Sequence, residues 1–183
     1  CSSDLETVLN VGLNDASVGG LAARSDSERF AQGSYRRLLQ MFGGTVLHVD
    51  SELFSDALDE AKRAKGTESD LDLDADDLRG VVETFKQIIK EQTGRDFPQD
   101  PREQMDLAIR AVFDSWNTDR ARLYRRQERI PEDLGTAVNV QAMVFGNFGM
   151  DSGSDVACTR DPASGAQGEY ADYLQNAQGE DVV

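Results

Sequence analysis

Apolar residues recur at three- and four-residue steps through the first two thirds of the chain, then at every second residue. The first spacing predicts helices and the second predicts strands. In SERFAQGSYRRLLQMFG, Phe30, Leu38, Leu39, Met41 and Phe42 share a helical face that Gly43-Gly44 is expected to terminate. SELFSDALDEAKRAKG repeats the pattern with Leu53, Phe54, Ala57, Leu58 and Ala61, stopping at Gly66. The longest stripe is Leu78, Val81, Val82, Phe85, Ile88 and Ile89, begun by Asp74 or Asp76 and ended near Gly94. The acidic TESDLDLDAD before it reads as an exposed connection. After the breaker RDFPQDP, Asp100 caps a further helix with Pro101 at its first position and Glu103 completing a capping box. Its expected buried face is Met105, Ile109, Val112, Phe113 and Trp116, and polar DRARLYRRQER continues it until Ile130-Pro131.

Beyond Pro131 the period changes to two. Val138, Val140, Ala142 and Val144 fall on one side of a predicted strand, with Asn139, Gln141 and Met143 on the other. A Gly/Asn/Asp/Ser turn follows, then a short strand VACTR, an Asp-Pro break and a second pair of segments ending in NAQGEDVV. Helices first and strands afterwards predict an α+β arrangement, divided into a helical region over residues 1–130 and a β-rich region over residues 131–183.

Composition narrows the partners. Against 19 basic residues stand 34 acidic ones, a formal net charge of −15. Such a surface repels nucleic acid and anionic membrane, so neither is an expected partner. No apolar run is long enough for a membrane span, and no N-terminal signal segment is visible. Cys1 and Cys158 lack any metal or redox spacing and read as free thiols of a reducing cytoplasm. The opening CSSDLETVLN and the apolar final pair read as cut ends within a longer polypeptide.

Chemistry concentrates in the last third. Strands that gather Glu169, Asp172, Gln178, Glu180 and Asp181 supply the hard oxygens that a magnesium–nucleotide complex requires. The turn FGNFGMDSGS is able to direct main-chain N–H groups at an anion, and equally able to be a plain hairpin loop. His48, the only histidine, lies between apolar residues, and Arg36-Arg37 and Arg125-Arg126 sit among acids where ion pairs are the expected role.

Several words in order carry a resemblance: TVLNVGLND, SYRRLLQMFGGTVL, FPQDPREQMDLAIRAVFDSWNTDRARLYRR, GTAVNVQAMVFGN, SGSDVACTRDPASG and NAQGEDVV. Together they resemble the nucleotide-binding domain of the pyruvate, phosphate dikinase family, a match covering almost the whole chain. The resemblance implies a portion of an ATP-grasp-like domain. It implies ATP as substrate and Mg2+ as cofactor. Carrier-histidine and pyruvate-binding domains of the same full-length, homo-oligomeric enzyme would be its partners, with phosphoenolpyruvate the eventual product. A phosphoenolpyruvate synthase-like dikinase and a non-catalytic nucleotide-binding module are the alternative readings.

Residue by residue, the resemblance implies that main-chain groups of Gln141, Ala142, Met143 and Val144 read adenine. The alternative is a plain half-buried strand. Arg160 would approach phosphate, or else pair with Asp161 or Glu169. Gln178 and Glu180 would face the polyphosphate and its metal, with Asn176 and Asp181 behind them and Glu169 a further metal ligand. The chain departs from the family wording where Asp155 replaces a glycine, Cys158 a phenylalanine and Asp161 an asparagine, and where CSSDLE stands for SMPGMM.

Overall fold

The computed structural model describes residues 5–182, with Glu180 described by its backbone alone. It is α+β and helix-rich, with six α-helices and one antiparallel hairpin among the described residues. Two compact units divide it between Gln141 and Ala142.

The first unit is built on α2 (Glu28–Thr45), against which α1 (Ser17–Ser25) and α4 (Ala75–Thr93) pack, with α3 (Ser51–Lys65) against α4. Leu38, Leu39 and Phe42 of α2 are wholly buried, as are Phe54 of α3 and Phe85 of α4. Phe54 and Phe85 meet edge to face with ring centroids 5.0 Å apart, and Phe42 meets Phe97 at 5.3 Å. Burying each such ring stabilises the unit by about 1.5–3 kcal/mol.

The caps follow from the sequence. Ser27 accepts the Phe30 N–H, and Asp74 with Asp77 forms a reciprocal capping box on α4. Lys65, which ion-pairs with Asp74 at 2.5 Å, holds that carboxyl down at about 2. Gly66 and Gly94 close α3 and α4 in the left-handed region.

Several expectations need correction. Gly43-Gly44 does not end α2, which runs on to Thr45. Gly43 is there for space, since a Cβ at this position would lie 2.4 Å from the Phe54 ring. The acidic connection is not wholly exposed: it forms a 3₁₀ turn at Asp70–Asp72 and buries Leu73 completely. Arg29 fixes it by donating to the Leu73 and Asp70 carbonyls, each at 2.8 Å.

Helix α5 (Pro101–Ser115) starts at Asp100, which accepts the Arg102 N–H, but Glu103 completes no capping box. Its buried face is Gln104, Ala108, Ala111 and Ser115, turned away from the predicted stripe. Met105 and Phe113 are exposed. The following segment does not continue it but restarts as α6 (Asp119–Gln127), capped by Thr118. Arg125 is buried with its guanidinium 4.1 Å over the Trp116 ring and donates to the Trp116 carbonyl, a cation–π contact where an ion pair was expected.

Gln104 explains that rotation. Wholly buried, it accepts the Gly12 N–H at 2.8 Å and donates to the carbonyls of Leu13 (3.0 Å) and Pro98 (2.8 Å). Gln99 accepts the Asp15 N–H at 2.9 Å, and Asp15 in turn accepts from Tyr35 and Lys86, both at 2.9 Å. Burial outweighs the lowering by the Gln99 hydrogen bond and, with Asp15 adding to it, holds the Tyr35 phenol protonated well above the ordinary tyrosine range. The segment 9–16 is therefore clamped to α2, α4 and α5.

Residues 136–144 join no ladder among the described residues. Val140 and Val144 are exposed, at 67% and 91%. An alternating pattern becomes a strand only when a neighbour pairs its N–H and C=O groups. The second unit instead forms its hairpin from β1 (Gly153–Arg160) and β2 (Gln167–Gln175), with Gly153 opposite Gln175, Arg160 opposite Gln167 and an irregularity between Cys158 and Arg160. Cys158 is a half-buried free thiol, while Cys1 and the rest of residues 1–4 lie outside the described residues.

Candidate functional site

The hairpin has two chemically different ends. At its tip, Asp161 accepts the Ala163 N–H at 2.8 Å and the Ser164 hydroxyl at 2.5 Å, while Gly165 takes a φ of 71°. The Ser164 hydroxyl, then the Ala163 N–H, hold the Asp161 carboxyl below the usual carboxylate range. Arg160 donates to the Gly165 carbonyl at 3.2 Å, and Glu169 lies exposed on β2 near the same end.

At the open end three segments meet. The Asn176 N–H reaches the Ser152 carbonyl at 2.8 Å, and the Ser154 hydroxyl reaches the Ala177 carbonyl at 2.7 Å. Gln175 and Asn176 hold Met150 through its carbonyl and its sulfur. Gly146 presses its backbone into this junction: a Cβ there would sit 2.4 Å from the Ala177 carbonyl and 2.7 Å from that of Gly153. Only glycine permits that approach.

Gln178 follows directly. Its N–H donates to the Asp181 carboxylate at 2.8 Å, capping the 3₁₀ turn Gly179–Asp181. The Gln178 side chain is 1% exposed, yet neither its oxygen nor its nitrogen has a partner among the described residues. Nearby Asn147 likewise has an Oδ1 shielded from solvent and without a donor. A buried polar atom left unpaired costs about 1–3 kcal/mol, so two such side chains on neighbouring segments require a reason.

The expected site residues fall in three places. Met143 and Val144 lie within three residues of Gly146, so the end of the alternating segment comes to within about 10 Å of the Gln178 junction. Main-chain groups of Gln141, Ala142, Met143 and Val144 make no hydrogen bond among the described residues. Arg160 and Glu169 sit at the opposite end from Gln178, about 24 Å away at the rise of an extended strand. The Glu180 side chain lies outside the described residues, although its backbone belongs to the Gln178 end.

A metal's requirements can be set against this arrangement. Among the described residues no three His, Cys, Asp or Glu side chains gather to hold an ion. The orphaned Gln178 oxygen still suits an ion that takes one or two hard protein oxygens and leaves its other positions to water and phosphate. From Ala142 onward the chain carries seven acids and a single cation, Arg160. Charge neutralisation for a polyanion at the Gln178 end must therefore come from something other than this unit's own bases.

Sequence reasoning missed Asn147, Gln104 and also Asn10, which sits at a φ of 61°, 7% exposed, with neither amide atom partnered among the described residues. The FGN wording around Gly146 was the available signal for Asn147. Nothing in the helical pattern marked Gln104, which lies off the stripe expected to be buried. His48 is exposed at a φ of 57° between α2 and α3.

Residues 4–183 match the family described as pyruvate phosphate dikinase, AMP/ATP-binding domain. Pyruvate, phosphate dikinase of Clostridium symbiosum is 51% identical over 180 residues, covering 98% of this chain and 21% of that protein. The Giardia intestinalis enzyme is 51% identical over 181 residues, 98% of this chain and 20% of that protein. The chloroplastic enzyme of Mesembryanthemum crystallinum is 51% identical over 179 residues, 98% and 19% respectively. The chain spans about a fifth of the length of these curated relatives. With residues 4–183 matched by the family model and about half of its residues identical to these relatives across 98% of its length, the chain belongs to the pyruvate phosphate dikinase AMP/ATP-binding domain family.

Proposed function

We propose that this chain is the nucleotide-binding portion of a pyruvate, phosphate dikinase with an ATP-grasp-like fold. It holds Mg–ATP at the Gln178 end of the hairpin for phosphoryl transfer to a carrier histidine on another domain, and the parent enzyme goes on to form phosphoenolpyruvate. The observation that carries this reading is the Gln178 carboxamide, fully buried and unpartnered beside the Gly146–Ala177 contact. The free main-chain groups of Gln141–Val144 would take the adenine edge, and Gln178, with Glu180, the polyphosphate side. Arg160 and Glu169, at the far end, would act on another region of the nucleotide or on the turn alone.

The chain contributes positioning, the principal protein contribution to phosphoryl transfer. Gln178 is pre-oriented by its main-chain bond to Asp181 and by the packing that buries it. Bound magnesium would supply charge neutralisation between phosphate oxygens.

Equilibrium binding of Mg–ATP to the full-length protein and its Gln178→Leu variant tests the site. Loss of ligand hydrogen bonds worth about 1–3 kcal/mol predicts a Kd roughly 10- to 100-fold higher. Leucine gives up only the Gln178 half of the capping box with Asp181, so the thermal midpoint should shift little. An unchanged Kd overturns the reading.

A further inference from the structure

The orphaned atom of Asn147 is a carbonyl oxygen, an acceptor, and that limits what it is able to meet. A fully ionised polyphosphate has only acceptor oxygens, so direct contact with Asn147 Oδ1 would set two negative atoms together. The oxygen requires a donor. Gln178 differs in having both a donor and an acceptor unpaired among the described residues. The two side chains stand on adjacent residues of touching backbones, since Gly146 abuts the Ala177 carbonyl. Ser154, the closest hydroxyl to that contact, is already committed to Ala177.

We propose that Asn147 is a second ligand-contacting residue of the nucleotide site, its Oδ1 accepting a hydrogen bond from a donor carried by the bound Mg–ATP. Two groups of the complex are able to supply that donor: a ribose hydroxyl, or a water molecule on the metal. The inference rests on the reading that nucleotide occupies the Gln178 end. It adds a distinct contact by which a donor, rather than negative charge, is recognised. The turn FGN then has two tasks, with Gly146 giving close approach and Asn147 giving the acceptor.

The test is equilibrium binding to the full-length protein carrying Asn147→Leu, with Gln178→Leu in parallel. The probes are Mg–ATP, Mg–2′,3′-dideoxy-ATP and ATP with the metal chelated. Asn147→Leu is expected to raise the Kd for Mg–ATP about ten-fold with an unchanged circular dichroism spectrum. If the variant's deficit disappears with the dideoxy nucleotide, the donor is a ribose hydroxyl; if it disappears on chelation, the donor is metal-bound water. A deficit that persists in both arms shows a structural role and overturns the proposal. Normal Mg–ATP binding by Asn147→Leu, with Gln178→Leu impaired, overturns this inference while leaving the site reading intact. Normal binding by both variants removes the site itself. Should Asn147→Leu fail to fold, Asn147→Ala, which withdraws the oxygen without adding an apolar branch, is judged by the same comparisons.

Discussion

Single atoms decide the two most consequential glycines. Gly43 and Gly44 are neighbours in α2, and helix propensity alone predicts that alanine at either would stabilise by roughly 0.5–1 kcal/mol. Their surroundings differ. A Cβ on Gly43 meets the Phe54 ring at 2.4 Å, and that ring is locked edge to face on Phe85. A Cβ on Gly44 meets its nearest neighbour, the Val49 carbonyl, at 3.9 Å. Overpacking costs about 1–3 kcal/mol, enough to outweigh the propensity gain at Gly43 but absent at Gly44. Gly43→Ala is therefore expected to lower the thermal midpoint by several degrees and Gly44→Ala to raise it slightly, at roughly 2–4 °C per kcal/mol for a chain of this size. Equal midpoints in the two variants would show that Phe54 moves aside freely.

Among the elements, the unpaired alternating segment invites the most direct experiment. Residues 136–144 have exposed side chains for the most part and make no hydrogen bonds between main-chain groups among the described residues. Such backbone opens at almost no cost and is readily accepted by a protease. Limited proteolysis of the 183-residue chain should cut first between Leu134 and Val144, leaving a helical fragment that resists further digestion; first cuts inside α2 or α4 would contradict this. The same segment shows what the sequence made legible. Helices α2, α3 and α4 were readable because each buries one stripe within its own neighbourhood, and their caps are local chemistry. Strand β1 and the break at Asp161-Pro162 were readable. The loop FGNFGMDSGS that looked able to close a hairpin joins no pair of strands among the described residues, and the hairpin turns at the break instead. The identity of the buried face of α5 was not, because Gln104 binds main-chain groups up to 92 residues away and draws small residues inward. Pairing of 136–144 was not legible either, because alternation specifies a face and not a partner. Within the site, Gln178 followed from the resemblance and its burial from the structure. The separation of Arg160 from Gln178 follows from register, which no motif encodes.

Charge belongs to the whole molecule. A net of −15, with one cation against seven acids after Ala142, sets an unfavourable field for any polyanion. An ATP tetra-anion brought to the Gln178 end would face Asp181 and the other carboxylates of this unit without help from its one base, since Arg160 is engaged with Gly165 at the hairpin tip. Two unit charges about 4 Å apart near a protein surface interact by about 4 kcal/mol, so even one uncompensated contact would dominate the binding free energy. Bound magnesium would weaken that repulsion, because it would halve the net charge that the acids face. Affinity of the full-length protein for ATP is therefore expected to fall more than ten-fold when the metal is chelated at constant ionic strength, by titration calorimetry. Added salt should partly restore metal-free binding, because screening weakens the repulsion that magnesium otherwise reduces. Metal-independent affinity would mean that bases outside this chain neutralise the phosphates, and the acidic surface would then have no role in setting nucleotide selectivity.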